Sequence, residues 1–141
     1  MNVQHLSRLM ACVAAGLFAL VFAPAHGAAP PDAMVQDLVT QQVPEFAGHE
    51  LQMITVTYPP GGASMPHRHD AYILVYVLDG AVEMKVAGAP ARVVKTGETF
   101  VERPADIHEI SRNASKVKPA TFLVVALKET ARPLTRGVPA Q

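Results

Sequence analysis

The sequence predicts an all-β domain, an antiparallel sandwich or barrel, on three observations. From Glu50 onward short apolar runs recur, turn residues separate them, and no stretch of helical periodicity interrupts the series. The chain has 141 residues, 50% of them hydrophobic, and 12 prolines, which is material for one loop-rich domain.

The strands can be justified in order. Leu51 to Tyr58 is rich in Ile, Thr, Val and Tyr, and Pro59-Pro60-Gly61-Gly62 closes it. Ala71 to Leu78 is the next. Asp79-Gly80 then has the composition of a two-residue hairpin turn, so the following strand is expected to return beside it. In that strand Val82, Met84 and Val86 alternate with Glu83 and Lys85, the signature of a half-buried strand. Ala91 to Lys95, Glu98 to Glu102, Ile107 to Arg112 and Thr121 to Leu127 complete the series, each set off by Gly, Pro, Asn or Asp. Seven or eight strands with no crossover helix can close around one core.

Outside this region the texture differs. Residues 1–27 read as an export signal: His5 and Arg8 form a polar start, Ala11 to Phe22 an apolar run, and Ala23-Pro24-Ala25 or Ala25-His26-Gly27 a cleavage site. That run of 12 is too short to span a bilayer, which takes about 20 residues. Leu9-Met10-Ala11-Cys12 is not a lipoprotein box, since it precedes the apolar run. Residues 28–48 form an N-terminal arm, in which Met34, Val35, Leu38 and Val39 are spaced for one or two helical turns ended by Pro44. The barrel occupies residues 49–129, and 130–141 form a C-terminal tail. Export points to a bacterial periplasm or to the medium.

Charge and cysteine content narrow the function. Twelve basic and 12 acidic residues balance, with no basic cluster or tail, so no nucleic-acid partner is expected. No stable membrane anchor is expected either. Cys12 is the only cysteine and departs with the signal, leaving the mature chain no disulfide, thiol nucleophile or thiolate ligand. Ser64, Ser111 and Ser115 lack a nucleophile-elbow setting.

His67-Arg68-His69 and His108 carry the chemistry. Residues two apart on a strand face one side, so His67 and His69 project together, and His108 from another strand can complete a facial set open to water or substrate. Such imidazoles suit iron, zinc, nickel, manganese or copper. Three neutral ligands would leave the dication's charge uncompensated and favour anions. Without a metal, the same histidines would hydrogen-bond a ligand or one another.

Gly61, His67 and His69, then Tyr76 to Gly80, and later Gly97-Glu98, Pro104, His108 and Asn113 resemble the two motifs of the cupin superfamily. The resemblance covers about Glu50 to Lys128 and is greatest to small exported single-domain cupins with Pro-His-Arg-His and Ser-Arg-Asn-Ala-Ser segments. It implies a double-stranded β-helix, or jelly-roll barrel, a site of three histidines and one glutamate, and pairing into a homodimer through strands or exchanged arms. The chain departs from the pattern where the glutamate belongs, because Ile73 stands there. Arg103 and Ala105 also replace the commoner proline and glycine of the second motif. Glu102 and Asp106, beside the turn before His108, are candidates to supply the missing carboxylate.

Other residues complete the expectations. If His69 points inward, Ile73, Val75 and Val77 form an apolar wall, and Tyr72 and Tyr76 lie on the opposite face. Arg103 and Arg112 either attract a carboxylate substrate or form surface pairs. His49 is a solvated residue before the first strand, and Asn113-Ala114-Ser115 is a glycosylation acceptor in a glycosylating host or otherwise a loop. Two functional classes stay open: a metal-dependent enzyme acting on a small organic molecule, as a dioxygenase or isomerase, and a non-catalytic cupin that binds a small ligand or metal. No particular residue is assigned a catalytic step.

Overall fold

A computed structural model of the protein describes residues 31–104 and 106–138. The export-signal reading of residues 1–27, with Cys12, lies outside the described residues. Those described form strands and turns, with no helix among them.

One sheet has five strands, in the order β1 (Met34–Gln42), β2 (His49–Tyr58), β10 (Ala120–Glu129), β5 (Ala71–Asp79), β8 (Thr99–Glu102). The other has six: β11 (Arg136–Gly137), β4 (His67–Arg68), β9 (Ile107–Asn113), β6 (Ala81–Val86) and β7 (Arg92–Lys95) in order, with β3 (Ala63–Ser64) also on β9. Together they make an antiparallel double-stranded β-helix. Alternation along each strand builds its core: Ile54, Val56 and Tyr58 of β2, Ile73, Val75 and Val77 of β5, Val82 and Met84 of β6, and Phe122 and Val124 of β10 all face inward. Each fully buried Val or Ile in these rows contributes roughly 1.5–3 kcal/mol. Tyr72 and Tyr76 are exposed on the outer face, as the parity of β5 requires.

Three expectations change. Asp79-Gly80 makes a tight reversal but no hairpin, because β5 pairs with β10 and β8 whereas β6 pairs with β7 and β9. The turn is the corner where the chain leaves one sheet for the other. Glycine is needed there: φ is +76°, and a Cβ would meet the Pro119 carbonyl oxygen at 2.9 Å. The arm forms strand β1 instead of helical turns, with Met34 opposite Thr57 and Gln42 opposite Glu50. Its side chains are all exposed, so main-chain bonding to the edge of β2 decides its conformation and the helical spacing of its apolar residues finds nothing to pack on. In the tail, β11 is bonded to β4. His49 opens β2 half-buried, its Nδ1 3.2 Å from the Ala47 carbonyl.

Asn113 is a structural residue and not a glycosylation acceptor. It is 6% exposed, and its Nδ2 donates to the carbonyls of Tyr58, Pro59 and Lys118 while its Oδ1 accepts from the Ser115 amide. It thus ties the end of β9 to the turn after β2. Asn113→Ala leaves these groups short of partners and is expected to cost about 2–3 kcal/mol. A urea midpoint equal to wild type would refute that role.

Candidate metal centre

Local geometry brings the three histidines to one place. His67 on β4 lies directly opposite His108 on β9, so both side chains project from the same face of the sheet. A bulge places His108 there: Lys85 pairs with Ile110 and Val86 with His108, leaving Glu109 as the extra residue. His108 and Ser111, three apart, consequently both point inward. His69 follows β4 and is buried. One nitrogen from each of the three can be chosen so that all lie within 4.8 Å of one another.

Their supports fix which nitrogens are free. His67 Nδ1 is 2.7 Å from the Met65 carbonyl and His69 Nδ1 is 2.8 Å from the Leu134 carbonyl, so each ring holds Nδ1–H outward and turns Nε2 inward. Both nitrogens of buried His108 lack a hydrogen-bond partner, and Phe100 stacks on its ring at 5.9 Å between centroids. Burial, with repulsion from His69 and His108, holds the His67 imidazole below its ordinary pKa against the opposing pull of the Met65 carbonyl and Glu102. It therefore tends to the neutral form that a metal needs.

Glu102 reaches the same cluster from β8. Its side chain is 2% exposed, and Oε2 is 3.1 Å from His108 Nδ1 and 3.8 Å from His69 Nε2. Of the two acids that the sequence offers for the missing carboxylate, Glu102 is therefore the one that stands beside the imidazoles. Asp106 stays out of it, accepting the Arg103 amide at 2.8 Å within the turn. Arg112 forms a surface pair with Glu83 at 2.6 Å, and Arg103 is exposed away from the cluster. Partnerless buried nitrogens and a partnerless buried carboxylate oxygen gather at one point, donors that a metal ion would satisfy. The residues fit a divalent transition metal.

Beside the cluster opens a cavity of about 930 Å³ with mainly apolar walls, among them Ile73, Val75, Phe122 and Val124. Its polar feature is one that the sequence reading misses. The Tyr58 hydroxyl lies 2.6 Å from Ser64 Oγ and 2.7 Å from Ser111 Oγ, and burial raises its pKa, so it remains an O–H donor. Sequence reasoning weighs Ser64 and Ser111 only as nucleophiles; the inward parity of Tyr58 on β2 is the available signal.

The tail completes the site, with Leu134 supplying the His69 partner and Arg136 Nε standing 2.8 Å from Asp70 Oδ2 as an ion pair without hydrogen-bond alignment. A chain ending at Pro133 is expected to bind metal about 10–100-fold more weakly, since loss of such an orienting group typically has that effect. Chelator competition on the truncated protein, with circular dichroism as the folding control, would measure it; undiminished affinity would count against the tail.

Fold and site define a small jelly-roll protein with a candidate metal centre beside an apolar cavity. A family profile described as a cupin domain matches residues 54–126, more than half of the chain, and the protein belongs to the cupin family. Similar solved structures include a cupin-like protein from Thermotoga maritima at TM-score 0.60 and 18% identity, covering 75% of each chain. The polyketide cyclase RemF from Streptomyces resistomycificus matches at 0.58 and 24%, over 77% of this chain and 72% of its own. The DMSP lyase DddQ from Ruegeria pomeroyi matches at 0.53 and 22%, over 61% of this chain and only 42% of the lyase. These likenesses show the fold. No curated protein sequence matches this one.

Proposed function

We propose that this cupin is an exported metalloprotein in which His67, His69 and His108 hold one divalent transition metal, and that it acts as an enzyme on a small organic molecule. The observation that carries the reading is the gathering of buried, partnerless donor atoms beside an apolar cavity of about 930 Å³. That volume suits a small substrate. A cavity filled by bulky side chains would have favoured a binding role. When bound, a metal of this kind supplies Lewis acidity and a water of lowered pKa, or with iron the activation of dioxygen.

The residues around it divide the remaining work. Ile73, Val75 and Phe122 exclude water, which strengthens charge interactions at the cluster. Tyr58, held by Ser64 and Ser111, offers an O–H to a polar group of the substrate. Iron would point to dioxygenase chemistry; zinc, nickel or manganese to isomerisation. That two of the similar structures are a lyase and a cyclase supports an enzyme acting on a small molecule.

Elemental mass spectrometry of the tag-free exported protein tests the reading, with His67→Ala/His108→Ala as control. Near one equivalent of a single metal, lost in the control, is expected. No metal above the control after reconstitution with iron, zinc, copper, nickel and manganese would leave a metal-free ligand-binding cupin.

We also propose a periplasmic homodimer. The exposed outer-face residues Tyr72, Leu74, Tyr76 and Val101 support the pairing, as do the exposed apolar residues of β1. A monomer mass by light scattering at micromolar concentration would overturn it.

A further inference from the structure

We infer that Glu102 is a fourth protein ligand of this metal, which rests on the three-histidine reading above. The carboxylate is almost fully buried, and its only charge partners within 4 Å among the described residues are His69 and His108. A metal ion at the histidine cluster would give this buried carboxylate a charge partner.

The distances identify where that charge belongs. Two ligand atoms bonded to one ion at about 2.1 Å and at right angles lie about 3.0 Å apart and point at the ion, not at each other. Glu102 Oε2 and His108 Nδ1 are 3.1 Å apart, yet neither atom has a hydrogen-bond partner, because the pair is misaligned for one. An outer carboxylate that merely oriented His108 would make an aligned hydrogen bond to Nδ1–H. The 3.8 Å to His69 Nε2, the free nitrogen of that ring, brings the same oxygen to a second ligand. One anion among three neutral imidazoles would halve the dication's charge and make the donor set a mixed nitrogen and oxygen one, suited to iron, nickel or manganese over monovalent copper.

Register offers a direct test. Glu102 on β8 lies opposite Ile73 on β5, and cross-strand partners share a face at a Cβ separation of about 5 Å. Ile73→Glu/Glu102→Ile therefore moves the carboxylate across the pair while preserving composition. Cobalt(II) is the probe, read by its visible ligand-field bands and by chelator competition on the full mature chain.

Glu102→Ile is expected to weaken cobalt binding by about 100-fold or more and to change the band pattern, and Glu102→Gln to change the pattern too. Isoleucine replaces a buried charge with an apolar group, so the metal-free melting temperature should hold or rise, separating lost binding from lost fold. The exchanged double variant should recover most of the affinity. Wild-type affinity and spectrum in Glu102→Ile or Glu102→Gln would overturn the assignment while leaving the three histidines in place. A folded double variant as weak as Glu102→Ile would overturn it as well. Failure of the wild-type chain to bind cobalt or any other metal would instead remove the three-histidine reading itself.

Discussion

His108→Ala is expected to abolish tight metal binding and leave the barrel folded. The side chain is 3% exposed, faces His67 across the β4–β9 pair, and has two nitrogens with no partner in the protein. Its removal takes away one of three imidazoles but no hydrogen bond that the fold uses. A lost ligand should weaken binding by more than the roughly 10–100-fold that follows loss of an orienting group. Metal at about 100 times the dissociation constant stabilises a folded protein by about 2.7 kcal/mol, which in a domain of this size raises the melting temperature by about 10 °C. The wild-type chain should gain this rise and His108→Ala should not. Equal rises in both would mean that the histidine cluster is not where the metal binds.

The largest expected effect on stability comes from a buried ion pair in the five-stranded sheet. Lys128 lies opposite Glu50 in the β10–β2 pair, with Nζ 2.5 Å from Oε1, and both side chains are nearly buried. Gln42 donates to Glu50 at 3.0 Å, and Lys128 donates to the Arg132 carbonyl at 2.7 Å, so the pair also ties β1 and the start of the tail to the barrel. Glu50→Ala leaves the ammonium without its anion and is expected to cost about 3 kcal/mol, near the low end for a broken buried pair because the carbonyl contacts remain. Glu50→Leu/Lys128→Met removes both charges and should cost much less. Urea titration of the three proteins decides it: a double variant as unstable as Glu50→Ala would show that the charges are not what matters there.

How much of this was legible depends on whether a feature is local. Period-two alternation located the seven central strands and the inward row of Ile73, Val75 and Val77, because a half-buried strand writes its two faces into consecutive residues. Strand β10 extends past Leu127 to Glu129, since a lysine at the next inward position argues against a core strand until its partner Glu50 is known. The arm misled for the opposite reason: its apolar spacing was helical, but pairing with an edge is a main-chain matter that side chains do not announce.

The sequence by itself determined the barrel, the three histidines and the absence of a carboxylate at Ile73. Tertiary structure decided which strands share a sheet, so that Asp79-Gly80 became a corner, and it chose Glu102 over Asp106. These are two acids near one turn, but β8 carries Glu102 inward opposite Ile73 while Asp106 bonds back to Arg103. The bulge at Glu109 was likewise invisible, because it reverses the parity that a sequence reading assumes and turns His108 and Ser111 to the same side. Strand faces follow from neighbours in the chain, whereas a site assembled from β4, β8, β9 and the tail follows from pairings between residues far apart in it.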